Sequence, residues 1–484
     1  DPSFVAQVSP SPPFLSPSLG CGLAWTLPLA ANQASFVMEG PKIKLREPAS
    51  VGLSSERLDR LDAYLQGLVD EGKRPNAMAM VGRFGQPVYC KSFGLQNDGS
   101  AGSLSVAPLP IREDSIFRIY SMTKPITSLA LMMLYEEGKF LLTDPIWLYL
   151  GESWKKKNMS VWKSGFPKDG NVETQSCENT ITVLHVLTHT AGLSYGFDIT
   201  GNPVDAMYKA GGVELNPNRT VEEFVEKLVK VPLLFQPGSA WHYGYNTDVC
   251  GMLVEAISGM PFCQFLQQRI FEPLGMVDTG FWVPPEKRHR FCDNYWELAK
   301  PLPGQSKLWN ISKKSENRHF VGDEPPTGCS GGGGLVSTMH DYMRFCLMIL
   351  NGGELDGARL VSVKTIEFMA SNHLPHDKDM AGMLPPLPHG SYSETSAAGE
   401  GFGLGFSVKV NNTAGHHIGS DGLLMWGGAA HTVFWLDPQE QLFCIWMTQT
   451  MGYDERALPV RHKLRNFVYA SIADRKPFQP VARL

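Results

Sequence analysis

The chain lacks any grouping of its cysteines. Nine are scattered through 484 residues, with no Cys-x-x-Cys pair and no Cys/His cluster. That argues against a structural zinc site, and the odd number argues against a complete disulfide framework. Charge is sparse and nearly balanced: 43 Lys and Arg against 48 Asp and Glu leave a net charge of −5. Such a surface offers no electrostatic grip on nucleic acid or anionic membrane. The one early apolar stretch, "CGLAWTLPLAANQA" (21–34), is interrupted and too short to span a bilayer. No internal repeat is present. No metal or organic cofactor is expected.

What is present suits a large globular core: 43% of residues are hydrophobic and 19% charged. Residues 1–45 stand apart. "SPSPPFLSPSLG" is Pro- and Ser-rich, and the segment reads as disordered or as the remnant of a targeting peptide ending near Ala31–Ala34. Such a remnant would make the remainder a secreted or organellar soluble protein. Residues 46–475 read as the folded part and 476–484 as a tail.

Leu58, Leu61, Leu65 and Leu68 recur at helical spacing before Gly72. "AMAMVGRFGQPVYCKSFGL" (77–95) predicts two strands around a Gly-Gln-Pro turn. A long apolar helix begins at Ser121 and is expected to be buried. The middle of the chain is mostly helix and loop. Strands return in "GFGLGFSVKV", "AAHTVFWLDP" and "LFCIWMTQT", and a last amphipathic helix covers "ERALPVRHKLRNFVYASI". Strands at both ends of a helical middle predict an α/β (α+β) fold: a sheet flanked by helices. Its sheet part is expected over about 46–125 and 330–475, with a helical insertion over about 126–329.

The head of the apolar helix, Ser121-Met-Thr-Lys124, invites two explanations. Serine commonly caps helices. Alternatively Lys124, on the same face as Ser121 and desolvated by burial, loses its proton readily and serves as the base for a serine nucleophile. Ser-x-x-Lys also occurs at Ser153/Lys156 and Ser160/Lys163, but in a lysine-rich, solvated stretch. A second stretch, "PGSAWHYGYNTDVCGMLVEAISG", presents Tyr243 and Tyr245 on a loop before a helix. A tyrosine beside a lysine is expected to have a lowered pKa and to move protons.

Ser121-Met-Thr-Lys124, "LTHTAGL", "PGSAWHY", "FEPLGMVDTGF", "SGGGGLVST" and "WGGAAHTVFWLDP" follow one another in this order. The chain thereby resembles the serine β-lactamase-like superfamily, in its branch of class C β-lactamases, penicillin-binding proteins and related esterases and acyltransferases. The resemblance spans about residues 50 to 470. It implies an antiparallel sheet with an inserted helical region. It also implies Ser121 as acylated nucleophile, Lys124 as its partner and Tyr243 as general base or acid. Oxyanion N–H groups fall on Ser121 and, by position, Ala429.

Two departures bear on substrate. The tyrosine motif reads Trp241-His-Tyr243-Gly244, where the esterase branch has W-x-Y-S; Tyr243 is preferred, and Tyr245 is kept as a supporting residue of the substrate site. The family's Lys-Thr/Ser-Gly is replaced by Trp426-Gly427-Gly428, with Ala429 and His431 following. Tryptophan cannot pair with a carboxylate, so small neutral esters are expected over β-lactams or D-alanyl peptides. His431 either faces the pocket or is an ordinary strand residue. The expected partner is therefore a small-molecule ester or acyl donor.

Three other readings compete. "GCSGG" matches a nucleophile elbow at Ser330, but "GDEPPT" before it cannot be the required buried strand. His185 and His189 have i, i+4 metal spacing, but the glutamate of H-E-x-x-H is replaced by Val186. A non-catalytic scaffold would retain the fold without need of Ser121, Lys124 and Tyr243 together.

Overall fold

A computed structural model describes residues 41–163, 172–214, 220–302, 304–314, 319–453 and 458–474. The leader reading of 1–45, apart from its last five residues, and the tail at 476–484 lie outside them.

The first helix, α1 (Ser55–Asp70), is capped by Ser54, whose side chain accepts from the Arg57 amide. Its four leucines are at most 3% exposed, each contributing about 1.5–3 kcal/mol relative to exposure. Then comes the hairpin β1 (Asn76–Arg83) and β2 (Gln86–Asp98). Its turn falls on Phe84–Gly85, with φ of 53° and 73°, rather than on the expected Gly-Gln-Pro, because Gln86 already pairs with Arg83. Two positive φ angles in a two-residue loop match the strands' twist.

These strands join β3 (Pro108–Pro110), β4 (Glu400–Phe402), β5 (Ser407–Lys409), β6 (Leu424–Gly427), β7 (Val433–Asp437) and β8 (Leu442–Met447). The order is β4-β5-β6-β7-β8-β1-β2-β3, antiparallel throughout. "GFGLGFSVKV" thus forms two strands, not one. Pairing β1 with β8 brings the two ends of the folded chain together. The segment between β3 and β4 packs on one face.

Both faces are covered, so the central strands are buried on every residue. In β8, Leu442, Cys444 and Trp446 pack toward α1 and the last helix (Val460–Ala470). Phe443, Ile445 and Met447 pack in the larger core with α2 (Thr123–Glu136) and the helix Met339–Leu350. That alternation is the period-two pattern of a strand. Among the described residues no single helix is long and apolar enough to cross a membrane.

Candidate active site

Ser121 lies in a single 3-10 turn, Tyr120–Met122, directly before α2. It caps nothing: the N-cap position of α2 is Met122, without a side-chain cap bond. Tyr120 has φ of 42°, a conformation costing on the order of 1 kcal/mol or more for a residue with a Cβ. Its phenol is held by Asn294 Nδ2, which donates at 3.0 Å.

Lys124 is 1% exposed. Its Nζ donates to Ser121 Oγ at 3.0 Å and to the Gly332 carbonyl at 2.6 Å. Among the described residues no carboxylate lies within ion-pair distance of it. Burial drives its pKa down to about 7, opposed by the more distant charges of Asp248 and Glu394. A neutral amine beside the serine hydroxyl is a competent proton acceptor.

Tyr243 completes a compact group. Its ring lies 4.5 Å from Lys124 Nζ, and its hydroxyl accepts from Trp426 Nε1 at 3.2 Å. Burial and Glu394 push the phenol well above its ordinary pKa. The expected fall beside lysine does not occur, because desolvation of the phenolate outweighs a lysine that is itself poorly charged. Tyr243 is thus held as a neutral phenol. Gly244, where the esterase branch has Ser, is sterically required: a Cβ would stand 2.2 Å from the Leu193 carbonyl.

The strand β6 meets this group edge-on. A Cβ on Gly428 would lie 2.3 Å from the Ile119 carbonyl, two residues before Ser121. A Cβ on Gly427 would strike the Arg461 guanidinium at 2.5 Å. The bare backbone of Gly428 lets the turn after β6 press against the serine segment, and that of Gly427 makes room for Arg461. His431 N donates to Gly428 O at 2.8 Å, closing that turn around Ala429. Ala429 is half-buried, and among the described residues its amide has no acceptor.

Three expectations change. Trp426 is fully buried, so it does not offer its face to solvent; it positions the Tyr243 hydroxyl. His431 is neither pocket-facing nor in a strand. It is buried with φ of 68°, stacked on Tyr453 at 3.8 Å, and its Nδ1 accepts from Arg74 Nη2 at 2.9 Å. Tyr245 points away: its hydroxyl donates to Val213 O at 3.2 Å, and its ring packs on Tyr195 at 4.6 Å.

The competing motifs are occupied otherwise. Ser330 Oγ donates to Asp248 Oδ1 at 2.6 Å. His185 Nδ1 accepts from the Thr182 amide in a capping box. The two ring nitrogens of His189 face Asn246 Nδ2 at 3.1 Å and Thr247 Oγ1 at 3.4 Å. Among the described residues no group of His, Cys, Asp and Glu could hold a metal.

Sequence reasoning missed Asp248 and Tyr195. Asp248 is 3% exposed and accepts from Ser330 Oγ and, at 3.0 Å, from the Gly332 amide. It so anchors the loop whose carbonyl receives Lys124. An acid in the first turn of the helix Asn246–Ser258 suits the macrodipole; its burial was the signal that spacing could not supply. Tyr195 lays its ring 5.3 Å from Lys124 Nζ. Phe197, 66% exposed, stacks on Tyr195 at 5.0 Å. Tyr392 meets Phe197 at 5.9 Å and Tyr243 at 5.8 Å. The approach to Ser121 and Lys124 is therefore aromatic.

A sheet covered on both faces, with serine, lysine and tyrosine gathered where the start of α2 meets the end of strand β6, has the β-lactamase/transpeptidase-like fold. Residues 61–466 match the Beta-lactamase family, and the chain belongs to it. It is 30% identical over 439 residues to esterase EstB of Burkholderia gladioli, covering 88% of this chain and 98% of that one. It is 28% identical to the lovastatin esterase of Penicillium rubens, covering 79% and 90%. Simvastatin synthase of Aspergillus terreus, as the LovD6 mutant, superposes with a TM-score of 0.70 at 24% identity over 86% of this chain and 96% of that one. The octameric penicillin-binding protein homologue of Pyrococcus abyssi gives 0.57 at 22% identity, covering 85% and 80%.

Proposed function

We propose that this β-lactamase-family serine hydrolase acts on small neutral carboxylic esters through an acyl-enzyme, which water or an alcohol then resolves. The observation that carries the proposal is the buried Lys124 amine, 3.0 Å from Ser121 Oγ and without a carboxylate partner within ion-pair distance among the described residues. Neutral Lys124 takes the Ser121 proton as Oγ attacks the ester carbonyl. The amides of Ser121 and Ala429 receive the oxyanion. Tyr243, held protonated, gives a proton to the departing alkoxide, and the same groups in reverse activate the acceptor.

The substrate class follows from what surrounds this group. By its place in the motif Trp426 replaces the lysine of the β-lactamases, and Phe197 and Tyr392 present aromatic surface beside Tyr195 and Tyr243, 66% and 44% exposed. Tryptophan, unlike a lysine, offers no charge to offset the desolvation of a substrate carboxylate. The activities named for EstB and the lovastatin esterase support ester substrates for this chain as well. Turnover of acetyl, butyryl and hexanoyl nitrophenyl esters beside nitrocefin tests the proposal. Ester turnover with little or no nitrocefin hydrolysis is expected; equal rates would return the chain to β-lactam chemistry.

A further inference from the structure

One pair of cysteines lies next to the loop that holds Lys124. Cys263, on the short helix Phe262–Leu266, is the exposed thiol among the described residues; Cys329, half-buried, directly precedes Ser330. Both line the same two cavities, of about 270 and 190 Å³, which sets them beside one another. The smaller cavity is also lined by Asp248. We infer that Cys263 and Cys329 form a dithiol that hydroperoxides oxidise to a disulfide, and that this disulfide slows acyl transfer at Ser121. The effect on turnover rests on the function proposed above; the oxidation does not.

Cys263 is exposed and Cys329 half-buried, so peroxide reaches Cys263 first, and the neighbouring Cys329 thiol holds the pKa of Cys263 below its ordinary value. The pair therefore divides by access into an attacking thiol at Cys263 and a resolving thiol at Cys329, the arrangement of a peroxide-sensitive site. By contrast Cys90, Cys250, Cys292, Cys346 and Cys444 are buried, and burial raises each of these thiols. In the first step Cys263 sulfur attacks one peroxide oxygen and the O–O bond breaks. The leaving hydroxide takes a proton to become water, and Cys263 becomes a sulfenic acid. Cys329 sulfur then attacks that sulfur, and its proton leaves with the expelled hydroxide as a second water. The two thiols lose two electrons in all, and the peroxide gains them.

The consequence for the site follows from connectivity. Drawing the sulfurs together to the roughly 2.0 Å of a disulfide pulls on Cys329. Ser330, the next residue, donates to Asp248 at 2.6 Å, and Gly332 receives Lys124 at 2.6 Å. Displacing this loop moves the lysine away from Ser121, and a shift on the order of 1 Å can cost about a hundredfold in rate.

The test treats the reduced, full-length protein with a small excess of hydrogen peroxide, maps peptides without reduction, and follows nitrophenyl butyrate turnover. The expected product joins the Cys263 and Cys329 peptides and is two hydrogens lighter than their sum. Turnover falls roughly ten- to a hundredfold and returns with dithiothreitol. Cys263→Ser should keep its basal turnover, form no cross-link and resist peroxide. Peroxide treatment that leaves both peptides separate overturns the dithiol. A cross-link that leaves turnover unchanged overturns its connection to Lys124. A cross-link in a protein that turns over no ester overturns the proposed function and leaves the dithiol standing.

Discussion

Lys124 Nζ sits 3.0 Å from Ser121 Oγ, inside the protein and anchored on its other side by the Gly332 carbonyl. An ammonium so placed is costly, and the pKa of about 7 that burial imposes means the site holds a substantial neutral fraction at physiological pH. Lys124→Arg keeps a charge but cannot accept a proton. Its kcat/KM for nitrophenyl butyrate should fall by at least about a thousandfold. Near-wild-type rates would show that Lys124 acts by charge alone.

The same burial predicts a pH signature in stability. The folded lysine titrates near 7, the unfolded one near 10.4. Between these values the unfolded chain binds more protons, so unfolding free energy rises with pH. Compared with Lys124→Met, the wild type should therefore gain stability from about pH 7 to about pH 10 and show a flat difference below. Denaturant melts of both proteins across that range measure it; a difference independent of pH contradicts a depressed lysine.

Asp248 raises the pKa of Lys124 by its charge and anchors Ser330 and Gly332. Asp248→Asn preserves shape and removes the charge. The acid limb of its kcat/KM profile should move below that of the wild type, with kcat lowered about tenfold by the loosened loop. A limb that stays in place would mean the carboxylate does not reach the lysine electrostatically.

Trp426 and Phe197 should separate by kinetic signature. Trp426→Phe removes the N–H that holds the Tyr243 hydroxyl, so kcat should drop with little change in KM. Phe197→Ala trims an exposed ring at the approach, so KM should rise for hexanoyl esters more than for acetyl esters. If both variants change only KM, Trp426 is lining rather than positioning.

The sequence was most informative where chemistry repeats along the chain. Four leucines at helical spacing located α1, and the order of six short motifs located the serine, lysine and tyrosine. It was least informative where distant segments meet. Gly244 is a steric necessity only because the Leu193 carbonyl abuts it. His431 is structural only because Arg74 and Tyr453 enclose it. Trp426 stood at a position expected to face substrate, yet Tyr243 and Phe402 bury it from across the fold. Nothing in its spacing marks Asp248, because the partners that define its role, Ser330 and Gly332, lie 82 and 84 residues further along the chain.

The central claim is that Ser121 is acylated. Ser121→Ala removes one hydroxyl and should cost only about 1 kcal/mol of stability. Intact mass after incubation with a fluorophosphonate or a short nitrophenyl ester tests the claim most directly. The wild type should gain one adduct, located on Ser121 by peptide mapping, and the folded Ser121→Ala protein should gain none. An adduct that persists in Ser121→Ala, or that maps to Ser330 in the wild type, would contradict the account.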